Sequence, residues 1–115
     1  MNPNNYASLK ASKRLVKAGI VLRTNCFWYF NDKGNYDLNV RDAWTLDDGI
    51  PAPSMAEVWR ELPYNSVLSM ADDGESWVHV GDDPRKNLES IHRSFNPTDA
   101  LIDLRIWVRK EASHA

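Results

Sequence analysis

The sequence predicts an α+β fold: a two-layer sandwich in which an antiparallel sheet of four to five strands packs against three helices, in the order αββαββ(β)α. Three segments begin with a residue type that caps helices and continue with apolar residues at helical spacing. Two pairs of β-prone runs flank short turns that contain Asp and Gly. The 115 residues are 43% hydrophobic and 26% charged, which is ordinary for one globular domain.

The clearest helix is predicted near the end of the chain, where Asn96 precedes Pro97. The Asn96 side chain can accept a backbone N–H of the first turn, and proline suits the first helical position. Asp99 places negative charge near the positive end of the helix dipole. The apolar residues that then share one helix face are Ala100, Leu101, Leu104, Trp107 and Val108.

Two earlier helices are predicted by their ends. The first runs from the capping residue Ser8 to Gly19, a natural C-terminal stop. The second begins at a capping box, in which Ser54 and Glu57 can satisfy each other's backbone N–H groups, and ends at Pro63. Its apolar residues at helical spacing are Met55, Val58, Trp59 and Leu62. We expect Trp59, like Trp107, to be a core residue.

Strands are predicted between these helices. The aromatic run 25–30 and the alternating run 36–41 form one hairpin, and the runs 66–71 and 76–80 form another across an Asp-Gly turn. Residues 42–53 are predicted to be a loop. Residues 88–95 fit a helix or a strand, and we favour a strand because the residue before a proline prefers extended geometry.

The domain boundaries predicted from composition are a polar N-terminal arm over 1–7, the α+β domain over 8–111 and a tail over 112–115. The N-terminus lacks the basic segment and apolar core of a signal peptide. No apolar run approaches the ~20 residues that span a bilayer, so no membrane partner is expected. The single cysteine, Cys26, cannot form an internal disulfide and fits a reducing compartment, so we expect a cytoplasmic protein.

Short motifs spread over most of the chain carry a family resemblance. They begin at Ser8, at Phe27, at Ala52 and at Asn96. Together they resemble a family of short uncharacterised proteins encoded by bacteriophages and prophages and found also in Bacteroidetes-type genomes. The resemblance implies a phage-type origin, in the host cytoplasm, and a shared fold. Its motifs fall on caps and core positions, so it implies no catalytic residue.

Residues typical of catalysis are not arranged in known motifs, and we predict no catalytic residue, no cofactor and no metal. Cys26 lies in an aromatic strand and is expected in the core rather than as a reactive thiolate. Glu57 and Glu61 are one helical turn apart, but capping already explains Glu57. The acidic pairs at 47–48, 72–73 and 82–83 lie beside Gly or Pro, where Asp favours turns.

Two histidines offer the one metal hypothesis. His79 and His92 lie on neighbouring segments and would bind a metal together with Asp82 if they met across a sheet. Their spacing matches no established ligand motif. The simpler interpretation is that both are surface histidines of a sheet.

Charge is unevenly distributed along the chain, whose net charge is −2. Residues 1–31 hold five basic and no acidic residues, whereas residues 32–83 hold three basic and twelve acidic ones. Four of the basic residues fall on one face of the first helix. If the first and last helices pack side by side, their combined layer is basic. The predicted interaction surface on both helices comprises Lys10, Lys13, Arg14, Lys17, Ile102, Arg105, Ile106 and Arg109.

Ile102 and Ile106 leave two alternatives open. They lie one turn apart and are rotated away from the main apolar stripe of the last helix, so they are either the edge of the core or an exposed strip. An exposed strip would allow two copies to pair as a homodimer about a two-fold axis.

The predicted function is that of a small non-enzymatic protein that acts by contact with a protein partner. A nucleic-acid-associated or anti-defence accessory protein that uses the basic first helix is the first alternative, and a small enzyme is the second. The net charge of −2 argues against strong non-specific binding to nucleic acid.

Overall fold

A computed structural model describes residues 5–40, 49–81 and 91–113. In chain order the elements are α1 (Leu9–Lys17), β1 (Cys26–Phe30), β2 (Tyr36–Val40), β3 (Ile50–Pro51), α2 (Met55–Trp59), β4 (Ser66–Met70), β5 (Ser76–Val80), β6 (His92–Ser94) and α3 (Pro97–Ser113). The α+β class and the three helices are therefore confirmed. Within the described ranges, no helix is both long and apolar enough to cross a membrane.

In the described ranges, six strands form two antiparallel sheets of three, ordered β2-β1-β3 and β4-β5-β6, rather than the single predicted sheet of four to five strands. The division falls at β3, a two-residue strand within the predicted loop. Pro51 has no N–H to offer a further strand, and Pro53 then leads the chain into α2. The second sheet starts afresh after that helix.

Local signals placed most elements correctly. The Ser8 hydroxyl accepts the Ala11 N–H at 3.1 Å, and both bonds of the Ser54–Glu57 capping box form, at 3.2 and 2.8 Å. The Asn96 side chain accepts the N–H of Thr98 at 2.9 Å. Both predicted hairpins are present, and the strand preference holds for residues 92–94. Residues 41–48 and 88–90 lie outside the described residues.

The core is organised around the first half of α3. Other elements cover this part of the helix from several directions, so its side chains are buried on almost every side. The buried residues are Thr98, Ala100, Leu101, Ile102 and Leu104. Contacts come from α1 through Ala11 and Leu15, from α2 through Val58 and from β5 through Val78. Trp107 is partly buried and packs against this core, as predicted.

Tyr6 and Ala7, at the end of the predicted N-terminal arm, are docked on the rest of the fold. Ala7 is fully buried, and its N–H donates to the Pro53 carbonyl at 2.9 Å. The Trp28 indole N–H donates to the Ala7 carbonyl at 3.0 Å, and the Asn96 amide donates to the Tyr6 carbonyl at 3.2 Å. These bonds tie residues 6–7 to β1 and to the segments that lead into α2 and α3. Residues 1–4 lie outside the described residues.

Helices α1 and α3 pack side by side and run parallel. The Ser8 N–H donates to the Asp99 carboxylate at 2.9 Å, where both helices begin. Further along, Arg14 pairs with Asp103 at 2.8 Å. At the far end, Gly19 lies close to the Arg109 guanidinium, which would be 3.9 Å from an added Cβ. The first and last helices therefore meet the condition under which their combined layer would be basic.

The prediction that Trp59 is a core residue is wrong. Its side chain is 43% exposed, whereas the neighbouring Val58 is fully buried. Because α2 ends at Trp59 instead of continuing to Leu62, it makes little more than one turn. Such a short helix presents a narrow buried face, which Val58 fills.

Truncation of Ile102 tests the core around α3. We expect Ile102→Ala to lower the free energy of unfolding by about 2–5 kcal/mol, because a fully buried side chain leaves a cavity. The measurement is urea unfolding. The control is Val21→Ala at an 88% exposed site, where we expect almost no loss. Equal effects of the two substitutions would contradict the packing.

Removal of a cap tests how α2 begins. We expect Ser54→Ala to lower the free energy of unfolding by about 0.5–2 kcal/mol, because the Glu57 N–H loses its acceptor. Thermal and urea unfolding measure the effect, with Ser69→Ala on an exposed strand position as the control. An unchanged midpoint for Ser54→Ala would show that the cap contributes nothing to stability.

Candidate interaction surface

The outward face of α1 carries three exposed lysines: Lys10, Lys13 and Lys17. The opposite face of the helix is buried through Ala11 and Leu15. None of the three lysines forms an ion pair with any residue in the described part of the chain. The predicted basic face is therefore exposed to solvent, and the opposite face of the helix packs against the core.

Arg14 has a different role from the three lysines. Its guanidinium donates from two nitrogens to one Asp103 carboxylate oxygen, at 2.8 and 3.1 Å. The two side chains are 37% and 30% exposed. Arg14 was predicted to belong to the interaction surface, but its charge is already paired with α3. It holds the two helices together.

The C-terminal half of α3 extends the basic surface beyond α1. Arg109 is exposed and reaches the end of α1 near Gly19. A cation there is favoured by the negative end of the α1 dipole. Arg105, one turn earlier, is only partly exposed, and its Nε is buried without a hydrogen-bond partner among the described residues.

The two predicted surface isoleucines do not form an exposed strip. Ile102 is 0% exposed, and Ile106 is half-buried and packs against the core. A helix that contacts α1, α2 and two strands buries a wide face, so the core alternative is correct for this position. A homodimer interface on Ile102 is excluded by its burial.

The β1–β2 hairpin borders the basic face. The Lys13 ammonium lies 5.2 Å from the centre of the Tyr36 ring, a cation–π distance. Tyr36 in turn meets Phe30 edge-on at 5.2 Å, and Phe30 is exposed. Asp32 and Asp37 are exposed on the same hairpin. The β1–β2 hairpin therefore meets the basic face through an aromatic pair and also carries two exposed carboxylates.

A second feature was not predicted: an apolar groove between α2 and β4. It has a volume of about 530 Å³ and is lined by Met55, Ala56, Trp59, Arg60 and Leu68. Helical spacing alone placed Trp59 in the core. A buried Trp59 could not line an open groove, so the groove was not predicted. The signal that would have revealed it is the shortness of α2.

The histidines are separated by the sheet. His92 lies directly opposite Val78 on β5, so the two side chains share a face. His79 is the next residue after Val78 and therefore points to the other face. The two histidines cannot converge on one metal ion. Asp82 lies outside the described residues, and the absence of a bound metal stays a prediction.

Burial shifts the pKa values of the half-buried His92 and of the buried Cys26. Burial lowers the pKa of His92, and the nearby Asp103 carboxylate partly offsets this. Burial raises the pKa of the Cys26 thiol, although a hydrogen bond from the Tyr6 hydroxyl opposes the shift. Cys26 is buried, as predicted, and its raised pKa disfavours the nucleophilic thiolate.

No family model matches the chain, and no curated protein and no solved structure is significantly similar to it. The resemblance to phage-encoded proteins therefore stays a prediction, and the assignment of function depends on the surfaces described above.

The pKa of His92 leads to a pH prediction. Below about pH 6.5 the unfolded chain takes up a proton at this histidine that the folded protein resists, so stability falls as the pH is lowered from about 7 to 5. We expect His92→Gln to show a shallower fall in the free energy of unfolding over the same range. Identical slopes for the two proteins would contradict the assignment.

Proposed function

We propose that this protein is a non-enzymatic binding module whose α1 face docks on an acidic surface of a partner protein. The observation that carries the proposal is the exposed row of Lys10, Lys13 and Lys17, without counter-ions among the described residues. Three like charges on one helix face repel one another, and an acidic partner would relieve that repulsion.

The rigidity of α1 supports a docking role. The helix is held at its start by the bond from Ser8 to Asp99 and at its middle by the Arg14–Asp103 pair. Lys13 is positioned over Tyr36. A surface that is ordered before binding loses less conformational entropy when the partner docks, which favours affinity.

The neighbouring charges orient the partner. Asp32 and Asp37 are exposed on the β1–β2 hairpin, whose Tyr36 contacts Lys13 of the basic face. An acidic surface is attracted to α1 and repelled by the hairpin. Opposed charges of this kind speed productive encounters and fix the direction of approach more than they add affinity.

Single-stranded nucleic acid is the second candidate, and one observation favours it. Lys13 lies beside the Tyr36–Phe30 pair, and single-strand binding proteins combine cations with aromatic rings on which bases stack. The exposed Asp32 and Asp37 on the same hairpin would repel the phosphates. We therefore place this candidate second.

The proposal also retains the expectations of a phage-type origin and a cytoplasmic location. A single buried thiol and no disulfide among the described residues support a reducing compartment. Within the described residues, no group of three metal-ligating side chains converges, so the surfaces rather than a reaction centre guide the proposal.

Charge reversal on α1 tests the proposed docking. We expect Lys10→Glu/Lys17→Glu to abolish capture of an acidic partner from cells that express the protein, and to lose binding to a fluorescent Glu-rich peptide. The matched control is Arg23→Glu/Arg93→Glu, which changes net charge equally at exposed sites outside α1 and the β1–β2 hairpin. Pull-down with quantitative mass spectrometry and fluorescence anisotropy provide the two measurements.

A salt titration with a single-stranded oligonucleotide distinguishes the two candidates. If nucleic acid is the ligand, the oligonucleotide binds more tightly than the peptide and its affinity falls steeply with salt, because phosphate contacts release counter-ions. Equal binding by the α1 variant and its control would show that the α1 face is not the docking surface.

A further inference from the structure

The free edge of β4 differs from the other sheet edges in the described residues. The edge strand β2 carries Asp37 at its second position, β3 is two residues long and contains Pro51, and β6 is three residues long and carries Arg93. Charges, prolines and short length are the usual protection of a sheet edge against another strand. β4 has five residues and none of these devices.

The backbone of β4 has hydrogen-bonding groups directed away from its sheet. At the two ends of the β4–β5 hairpin, the Ala71 N–H donates to Glu75 and the Gly81 N–H donates to the Asn65 carbonyl. Hydrogen-bonded pairs alternate along an antiparallel ladder, so Val67 and Ser69 bond to β5. Leu68 and Met70 therefore direct their N–H and C=O groups to the open side.

Apolar surface lies beside this open edge. Leu68 lines the groove with Trp59, and Met70 shares its sheet face because side chains two residues apart point the same way. Met70 is 69% exposed and Trp59 is 43% exposed. A strand added to β4 would cover both a row of backbone groups and this apolar surface.

We infer that the occupant of this edge is β4 of a second copy of the chain, paired antiparallel about a two-fold axis. With Leu68 opposite its own symmetry mate, Met70 of each copy lies opposite Ser66 of the other. The two three-stranded sheets become one sheet of six strands. Each Met70 then lies beside the groove of the opposite copy.

Charge complementarity argues for a second copy rather than an unrelated peptide. The β4–β5 turn exposes Asp72 and Asp73 just after Met70, and Arg60 is exposed beside the groove, at the end of α2. The antiparallel two-fold arrangement brings the acidic turn of one copy toward Arg60 of the other, twice. One chain thus carries both the acidic turn and the basic residue that it would meet. Strand β4 itself has no charged residue that would repel a second copy.

Analytical ultracentrifugation over a range of protein concentrations tests the dimer. We expect the wild-type protein to dimerise and Met70→Lys to weaken dimerisation at least about tenfold, because the register places residue 70 beside the apolar groove and Arg60 of the opposite copy, where a lysine charge loses water and meets a like charge. The matched control is Val40→Lys, at the last residue of edge strand β2, where Val40 is also exposed. A wild-type protein that stays monomeric at several hundred micromolar overturns the inference, as does equal weakening by both variants.

Hydrogen exchange locates the interface without any substitution. We expect the amides of Leu68 and Met70 to gain protection as protein concentration rises, whereas those of Val67 and Ser69, already bonded to β5, stay unchanged. A dimer in which Leu68 and Met70 exchange at the monomer's rate would place the interface elsewhere and overturn the inference.

A charge swap tests the register. We expect Arg60→Glu to weaken dimerisation and Arg60→Glu/Asp72→Lys/Asp73→Lys to restore it, since the swapped chain remains complementary to itself. The inference is independent of the proposed docking on α1, so Lys10→Glu/Lys17→Glu should dimerise as the wild type does. Failure of the triple variant to recover, with both variants folded by circular dichroism, would contradict the antiparallel register.

Discussion

The burial of the first half of α3 is the constraint on which the other elements depend. Leu101, Ile102 and Leu104 are fully buried because α1, α2 and the β5–β6 pair each cover a different side of the helix. Each of these elements is too small to bury an apolar face alone. Their common contact with α3 gives each of them a partner and gives the molecule one core.

This arrangement determines which surfaces remain open. Since α1 uses its inner face to contact α3, its lysines face solvent, and the Arg14–Asp103 pair fixes the rotation of the helix about its axis. On the other flank, α2 packs against the core through the fully buried Val58 and the partly buried Met55, and leaves Trp59 beside β4. A charged surface and an apolar surface therefore arise from the same packing, on different elements, and they suit different kinds of partner.

Sequence reasoning succeeded where the deciding interaction is local. The caps at Ser8, Ser54 and Asn96 and the two hairpins each depend on residues within a few positions of one another, and all are present. The burial of Trp59 and Ile102 depends instead on how many neighbours surround a helix, which periodicity does not encode. Likewise, the opposite orientation of His79 and His92 follows from a strand register that only the folded chain defines.

The Ser8–Asp99 bond joins residues 91 positions apart, and it has a consequence for the order of folding. Helix α1 is synthesised early and contacts β3, but its packing against α3 must wait until that last helix emerges from the ribosome. A nascent chain that ends after β5 holds both hairpins and lacks the centre of the core. The core is therefore completed only when the last helix has been synthesised. A chain interrupted before residue 97 would expose Ala11, Leu15 and Val58 to chaperones and proteases.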